Sequence, residues 1–240
     1  METRIIHKKN LGQFTAVASL PDMGRVGGIV SSYLALSLQA KLVAEFTSTD
    51  KPWVNYSDGV VSVARDIYRL YCHEGDAGNF LIFTGESQPQ DPTELHKLCN
   101  SLLDTLQSMG DIRRIYSAGG YLREQLTGAP RVCGVVNKSE LQSVLTSAGI
   151  ETIGNEIKTI TWFNGLIMGL AAERNIDGIG LFGEISETSV PQPLAAKSIL
   201  SAFSKLEMIP VDTKPLDQQY ESLLDDIQKK KEPSKFGHDS

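Results

Sequence analysis

Asn79-Phe80-Leu81-Ile82-Phe83-Thr84-Gly85-Glu86-Ser87-Gln88-Pro89-Gln90-Asp91-Pro92-Thr93-Glu94 is the stretch that decides the fold. Residues 80–83 are large apolar side chains in a row with no polar alternation, the pattern of a strand covered on both faces. Asp91 can cap a helix, Pro92 suits the first helical position, and Glu94 can reach back in a capping box. Leu95, Leu98, Cys99, Leu102 and Leu106 then recur at helical spacing as one apolar face, and Gly110 stops the helix. Residues 84–90 are left as a polar loop at the strand's carboxyl end, where open α/β sheets bind ligands and partners.

Toward the amino terminus, residues 14–20 read as a first strand. Pro21-Asp22-Met23-Gly24-Arg25-Val26-Gly27-Gly28 is a turn that opens a long helix, with Val26, Ile29, Val30, Tyr33, Leu34, Leu38 and Leu42 as its stripe. Residues 60–63 and 67–71 flank Arg65-Asp66 and read as a hairpin or two adjacent antiparallel strands. Toward the carboxyl terminus, residues 112–118 form a strand that ends at Gly119-Gly120-Tyr121. Residues 131–136 form another, followed by a capping box over Asn137-Lys138-Ser139-Glu140 and a short helix. Asn164 is read as the cap of a helix over 166–174. Residues 179–182 are the last core strand, ending in Gly183-Glu184, and Pro193 opens a further helix.

Strands alternating with helices predict an α/β domain, with helices on both faces of a mostly parallel sheet, over residues 1–209. Residues 210–229 read as a linker and an amphipathic helix carrying Leu216, Tyr220, Leu223, Leu224 and Ile227. Residues 230–240 are charged, hold Pro233 and Gly237, and are expected to be a disordered tail.

Composition sets bounds. Hydrophobic residues are 41% and charged residues 22%, as in ordinary globular chains, and the net charge of −6 argues against a general nucleic-acid binder. No apolar run approaches the ~20 residues that span a bilayer, and the first residues lack a signal-peptide pattern. Three widely spaced cysteines, Cys72, Cys99 and Cys133, suggest a reducing cytoplasm without a disulfide framework.

The strand-end residues form a candidate site. Gly85-Glu86-Ser87-Gln88-Pro89 resembles a Gly-x-Ser-x-Gly nucleophile elbow, but Pro replaces the last glycine, and a loop hydroxyl is the favoured reading. Gly24, Gly27 and Gly28 stand where phosphate loops stand, without the G-x-G-x-x-G or Walker spacing. Close helix–sheet packing is the favoured reading there, with Arg25 as the nearby anion contact. Glu86 and Glu184 could pair as acid and base if their strands were neighbours; the plainer reading has each accepting backbone N–H bonds at a helix start. No His/Cys spacing matches a zinc site, and neither a metal nor a cofactor is expected. What remains is a polar, glycine-rich rim of Gly24, Arg25, Gly27, Gly85, Glu86, Gln88, Gly120, Tyr121, Asn164 and Glu184, with no complete catalytic constellation.

Residues 84–90, the block Ser117-Ala118-Gly119-Gly120-Tyr121 with Pro130-Arg131-Val132-Cys133-Gly134, and residues 164–184 together resemble the proteasome assembly chaperone family, archaeal branch. Residues 21–27 add to the match. The resemblance implies a three-layer α/β/α fold of the phosphorylase/hydrolase class with a mixed sheet. It also implies a non-enzymatic homo-oligomer that binds proteasome α subunits in the cytoplasm. Such chaperones often dock through a C-terminal hydrophobic-Tyr pair. This chain closes on His238-Asp239-Ser240, so contact through the folded surface or the 216–227 helix is expected instead. The alternative reading is a small-molecule or nucleotide-binding enzyme that uses the rim.

Overall fold

A computed structural model describes residues 1–49, 51–123, 128–154 and 157–231. The chain runs β1 (Glu2–Ile5), β2 (Gln13–Ala18), α1 (Val26–Ser37), β3 (Lys41–Ser48), β4 (Val54–Ser57), β5 (Val60–Val63), β6 (Asp66–Gly75) and β7 (Gly78–Gly85). It continues through α2 (Pro92–Ser108), β8 (Asp111–Leu122), β9 (Val132–Val136), α3 (Gln142–Ser147), β10 (Glu151–Thr152), α4 (Trp162–Glu173), β11 (Gly178–Ile185), α5 (Pro193–Glu207) and α6 (Lys214–Lys231).

Phe80, Leu81, Ile82 and Phe83 of β7 are at most 1% exposed. Side chains alternate across a strand, and these divide accordingly. Phe80 and Ile82 join Leu34 of α1 and Ile199 and Phe203 of α5, while Leu81 and Phe83 join Leu98 and Leu102 of α2 and Phe163 of α4. An apolar strand with no polar face therefore requires a helix layer on each side, and three layers result. Asp91 caps α2 as its sequence predicts, accepting from the Glu94 N–H at 2.9 Å.

The nine-stranded sheet has the order β1-β3-β6-β7-β2-β8-β11-β9-β10. Its centre, β7-β2-β8-β11, is parallel throughout. The flank β1-β3-β6 joins β7 with antiparallel pairings, and β9 is antiparallel to β11. The sheet is thus mixed, parallel through its middle and again between β9 and β10 at one edge. Among the described residues no helix is long and apolar enough to cross a membrane.

Several local readings change. The stripe of α1 stops short of Leu42, because Gln39 sits at φ 50 and turns the chain into β3, where Leu42 pairs with Tyr71. Arg65-Asp66 is no hairpin turn: β5 pairs instead with β4 across Asp58-Gly59, both at positive φ as a tight hairpin requires. β6 leaves that ribbon to lie between β3 and β7. Asn137 does not cap a helix. Its amide donates to the Ile176 carbonyl and accepts from the Gly178 N–H, both within 3 Å, tying the end of β9 to the start of β11. The last helix begins at Lys214, inside the expected linker. Of the expected tail, Lys230 and Lys231 complete α6, and residues 232–240 lie outside the described residues.

At the opposite end of the sheet the Glu207 side chain is fully buried. Its carboxylate accepts from Tyr116 at 2.6 Å, from Thr15 at 3.2 Å and from Arg113, fixing the end of α5 to β2 and β8. Glu207→Ala would leave the Tyr116 hydroxyl and Arg113 without this acceptor, and Arg114, 3.8 Å away, without its counter-charge. We expect it to lower the unfolding free energy by about 3 kcal/mol, the low end for a broken buried pair because Arg113 is half open to water. Urea denaturation of the two proteins measures the difference.

Candidate functional site

Parallel strands end at one edge, so the exits of β7, β2, β8 and β11 share a rim. The exit from β2 is the crowded point. A strand that leaves a sheet strands its backbone groups, and buried ones must find partners. Leu20 is fully buried, and the Asn164 side chain serves both of its groups: Oδ1 accepts from Leu20 N–H at 2.9 Å and Nδ2 donates to Leu20 C=O at 3.1 Å. Ser31 donates to the Ser19 carbonyl, and the Ser19 hydroxyl accepts from Ala118 N–H. Asn164 is thus no helix cap. It lies inside α4, with Thr161 at the N-cap position.

Asp22 comes next. Its Oδ1 accepts from Gly27 N–H at 2.9 Å and its Oδ2 from Gly120 N–H at 2.7 Å, which joins the first turn of α1 to β8. The approach is tight enough to demand glycine. A Cβ on Gly27 would stand 2.5 Å from the Ala118 carbonyl oxygen and 2.6 Å from that of Leu20. Gln88 completes the set, donating to Pro21 C=O at 2.5 Å and accepting from Phe163 N–H at 2.9 Å. Burial pushes the Asp22 carboxyl up to about 6, against the downward pull of the Gly27 and Gly120 amides.

These residues floor a cleft of about 570 Å³. Asp22, Gln88, Gly120, Tyr121 and Asn164 line it with Met23, Ile153, Ile157, Ile160, Trp162 and Phe182. Asp22, Gln88 and Asn164 are bonded to the protein itself, and much of the remaining wall is apolar. Met23, Ile157 and Trp162 are 45%, 38% and 46% exposed, and Leu122 at the end of β8 is 50% exposed.

Of the residues read as a rim, Gln88, Gly120, Tyr121 and Asn164 meet in the cleft. Gly24 and Gly27 shape the turn beside it: Gly24 N–H donates to Thr188 C=O, and its carbonyl accepts from Gln192 N–H. Gly85 packs on the Tyr68 ring. Arg25 and Glu86 face each other at 3.9 Å in solvent. Glu184 is buried in a separate cluster, with Arg131 at 2.9 Å and Arg123 at 3.2 Å. Burial works to raise its carboxyl, but the bonds and charges of those arginines hold it below the usual range. β2 and β8 separate β7 from β11, so Glu86 and Glu184 do not form a pair. Neither is held at a helix start: Glu184 takes its backbone bond from Arg131 N–H, at a strand. Ser87 donates to Asp66 at 2.9 Å, and Lys51 pairs with the same carboxylate.

Asp22 and the wall residues Ile153, Ile157, Ile160 and Trp162 escaped the sequence reading of the rim. Asp22 stood inside the quoted glycine turn, between a strand and a helix start, and its acidity was the available signal. Ile153, Ile157 and Ile160 recur at 4- and 3-residue spacing, yet none of them lies in a helix or strand, so the spacing did not report their place.

The PAC2 family model matches residues 16–231. A protein of Methanocaldococcus jannaschii, uncharacterized protein MJ1210, is 24% identical over 218 residues, 89% of this chain and 81% of its own length. Among solved structures, PbaB of Pyrococcus furiosus, described as an archaeal proteasome activator, superposes with a TM-score of 0.84 at 26% identity, over 96% of this chain and 98% of its own. PbaA of the same organism, described as an archaeal homolog of proteasome-assembly chaperone, gives a TM-score of 0.75 at 19% identity over 95% and 96% of the two chains. A Mycobacterium tuberculosis proteasome-assembly chaperone homologue, Rv2125, gives 0.69 at 16% identity over 94% and 97%.

Asp22→Asn tests the double acceptor. One amide nitrogen must then face a backbone N–H, at a cost of about 1–3 kcal/mol. The folded carboxyl is raised to about 6 from 3.8, so the stability it adds is present below 3.8 and is lost as pH rises through 6. The stability gap between wild type and variant should therefore shrink across that window. Thermal unfolding of both proteins over the pH series measures it.

Proposed function

The chain belongs to the PAC2 family, and from that premise we propose that it is a non-enzymatic proteasome assembly chaperone that binds proteasome α subunits in the cytoplasm as a homo-oligomer. The observation that carries the reading is the likeness to PbaB, which runs over nearly the whole of both chains at 26% identity. The chemistry of the rim favours the same reading. Asp22, Asn164 and Gln88 spend their polar atoms on backbone groups of the protein itself. What they leave toward solvent is apolar surface, in which Met23, Ile157 and Trp162 stand half exposed. Exposed apolar surface rimmed by polar residues is the mark of a protein-binding face. The acidic balance, −6, fits a protein client better than a nucleic acid.

Mixing the purified protein with α subunits and sizing the product by light scattering tests the proposal. A complex larger than either component is expected. Ile157→Glu places a charge on the open wall of the cleft without touching the bonds beneath it. It should weaken that complex at least about tenfold, some 1.4 kcal/mol, with the melting temperature little changed. Absence of any complex at high micromolar concentration would overturn the chaperone reading. A thermal shift with nucleotides would then favour the small-molecule alternative.

A further inference from the structure

The chain holds 2 tryptophans, and both stand half exposed beside the β7–α2 loop. Trp162 lines the cleft described above. Trp53 lines a second pocket, of about 340 Å³, with Lys51, Asp66, Asp91 and Glu94. Gln88 and Gln90 of the loop line both pockets, so the two adjoin as one groove with a tryptophan in each half. The halves differ in chemistry. In the cleft Asp22 is the one charged lining residue among the described residues, and backbone N–H groups take both of its oxygens. The second half is acidic. Lys97 and the amino terminus, neither of which lines the pocket, offset Glu94, which leaves Asp66 and Asp91 against the single cation Lys51. The Lys51 ammonium lies 2.7 Å from Asp66 and 5.2 Å from the centre of the Trp53 ring. A carboxylate beside an aromatic face is a seat for a cation, and the chain's own lysine already sits in it.

We propose that this groove takes an extended segment of the partner, with apolar side chains in the Trp162 half and a lysine or arginine in the Trp53 half, where the incoming cation replaces Lys51 on Asp66. The inference rests on the reading of the cleft as a protein-binding face and names the segment that face recognises. Charge selects the occupant. The phosphates of a nucleotide would meet carboxylates in the second half, whereas a basic side chain finds Asp66, Asp91 and the Trp53 ring. The net charge of −6 draws a basic segment in from a distance. Shape agrees: each half has the size of a pocket that swallows a ligand, which an inserted chain fills and a flat surface does not. Tryptophan gives large contact area at little rotamer cost and is the residue most enriched among binding hot spots.

The two tryptophans also make the test. In the full chain, Trp53→Phe leaves Trp162 as the reporter of the apolar half, and Trp162→Phe leaves Trp53 as the reporter of the acidic half. The probes are the capped peptides Leu-Leu-Phe-Gly-Lys-Lys and Leu-Leu-Phe-Gly-Glu-Glu, each also in reversed order. The lysine peptide, in one of its two directions, should shift the fluorescence of both reporters with a single affinity. The glutamate peptides should bind at least about tenfold more weakly. Lys51→Gln removes the resident competitor and should tighten the lysine peptide at least about threefold. Asp66→Asn should erase the preference for lysine over glutamate. Melting temperatures close to that of wild type show that each variant is folded. Equal affinity for the two charges, or a response from one reporter alone, overturns the joined groove. A complex with α subunits that forms while neither peptide binds overturns the groove and leaves the chaperone reading standing. Lysine-peptide binding without any α-subunit complex does the reverse.

Discussion

Leu20 sets the terms of this structure. It lies fully buried where β2 leaves the sheet, and both of its backbone groups must be satisfied there. Only a side chain that both donates and accepts can serve the two at once, and Asn164 does so from inside α4. That single amide fixes α4 against the central strand. From the same exit Asp22 reaches α1 and β8, and Gln88 reaches from the β7 loop to α4. Elements from both helix layers and three central strands are therefore joined at one point by polar bonds. The cores on either face of the sheet are held in register by it.

The polar atoms of the rim are committed to the protein's own backbone. Here the Asp22 oxygens each take a backbone N–H, and the Gln88 and Asn164 amides are bonded at both ends. Glu184, the other acidic strand end, is neutralised by two arginines two strands away from β2. The surface left over is shaped and apolar.

How far the sequence was legible follows from where its periodicities were clean. β7 and α2 could be read because four buried residues in a row and a capped 3-and-4 spacing each admit one solution. β3 could not, since Leu38, Leu42 and Phe46 continue a helical spacing from α1 while also fitting a strand, and the break at Gln39 carries no glycine or proline. Asn137 and Asn164 looked like caps because asparagine before a helix usually is one. Their true partners are the chain near Gly178 and the exit at Leu20, distant in sequence, and no local pattern reports such bonds. The glycines of the rim were visible as a set, and their neighbours Ile153, Ile157, Ile160 and Trp162 were not.

The ribbon's position follows from strand polarity alone. β7 is parallel to β2, so its carboxyl end lies on the rim. β6 is antiparallel to β7 and must begin at that rim, and β3 is antiparallel to β6 and must end there. Anything inserted between β3 and β6 therefore emerges beside the cleft and not at the far edge. The pairing of Ser48 with Asp66 marks the root, and Asp66 in turn holds Ser87 of the β7 loop. The cleft and the root of the ribbon thus share one edge because the central strands are parallel.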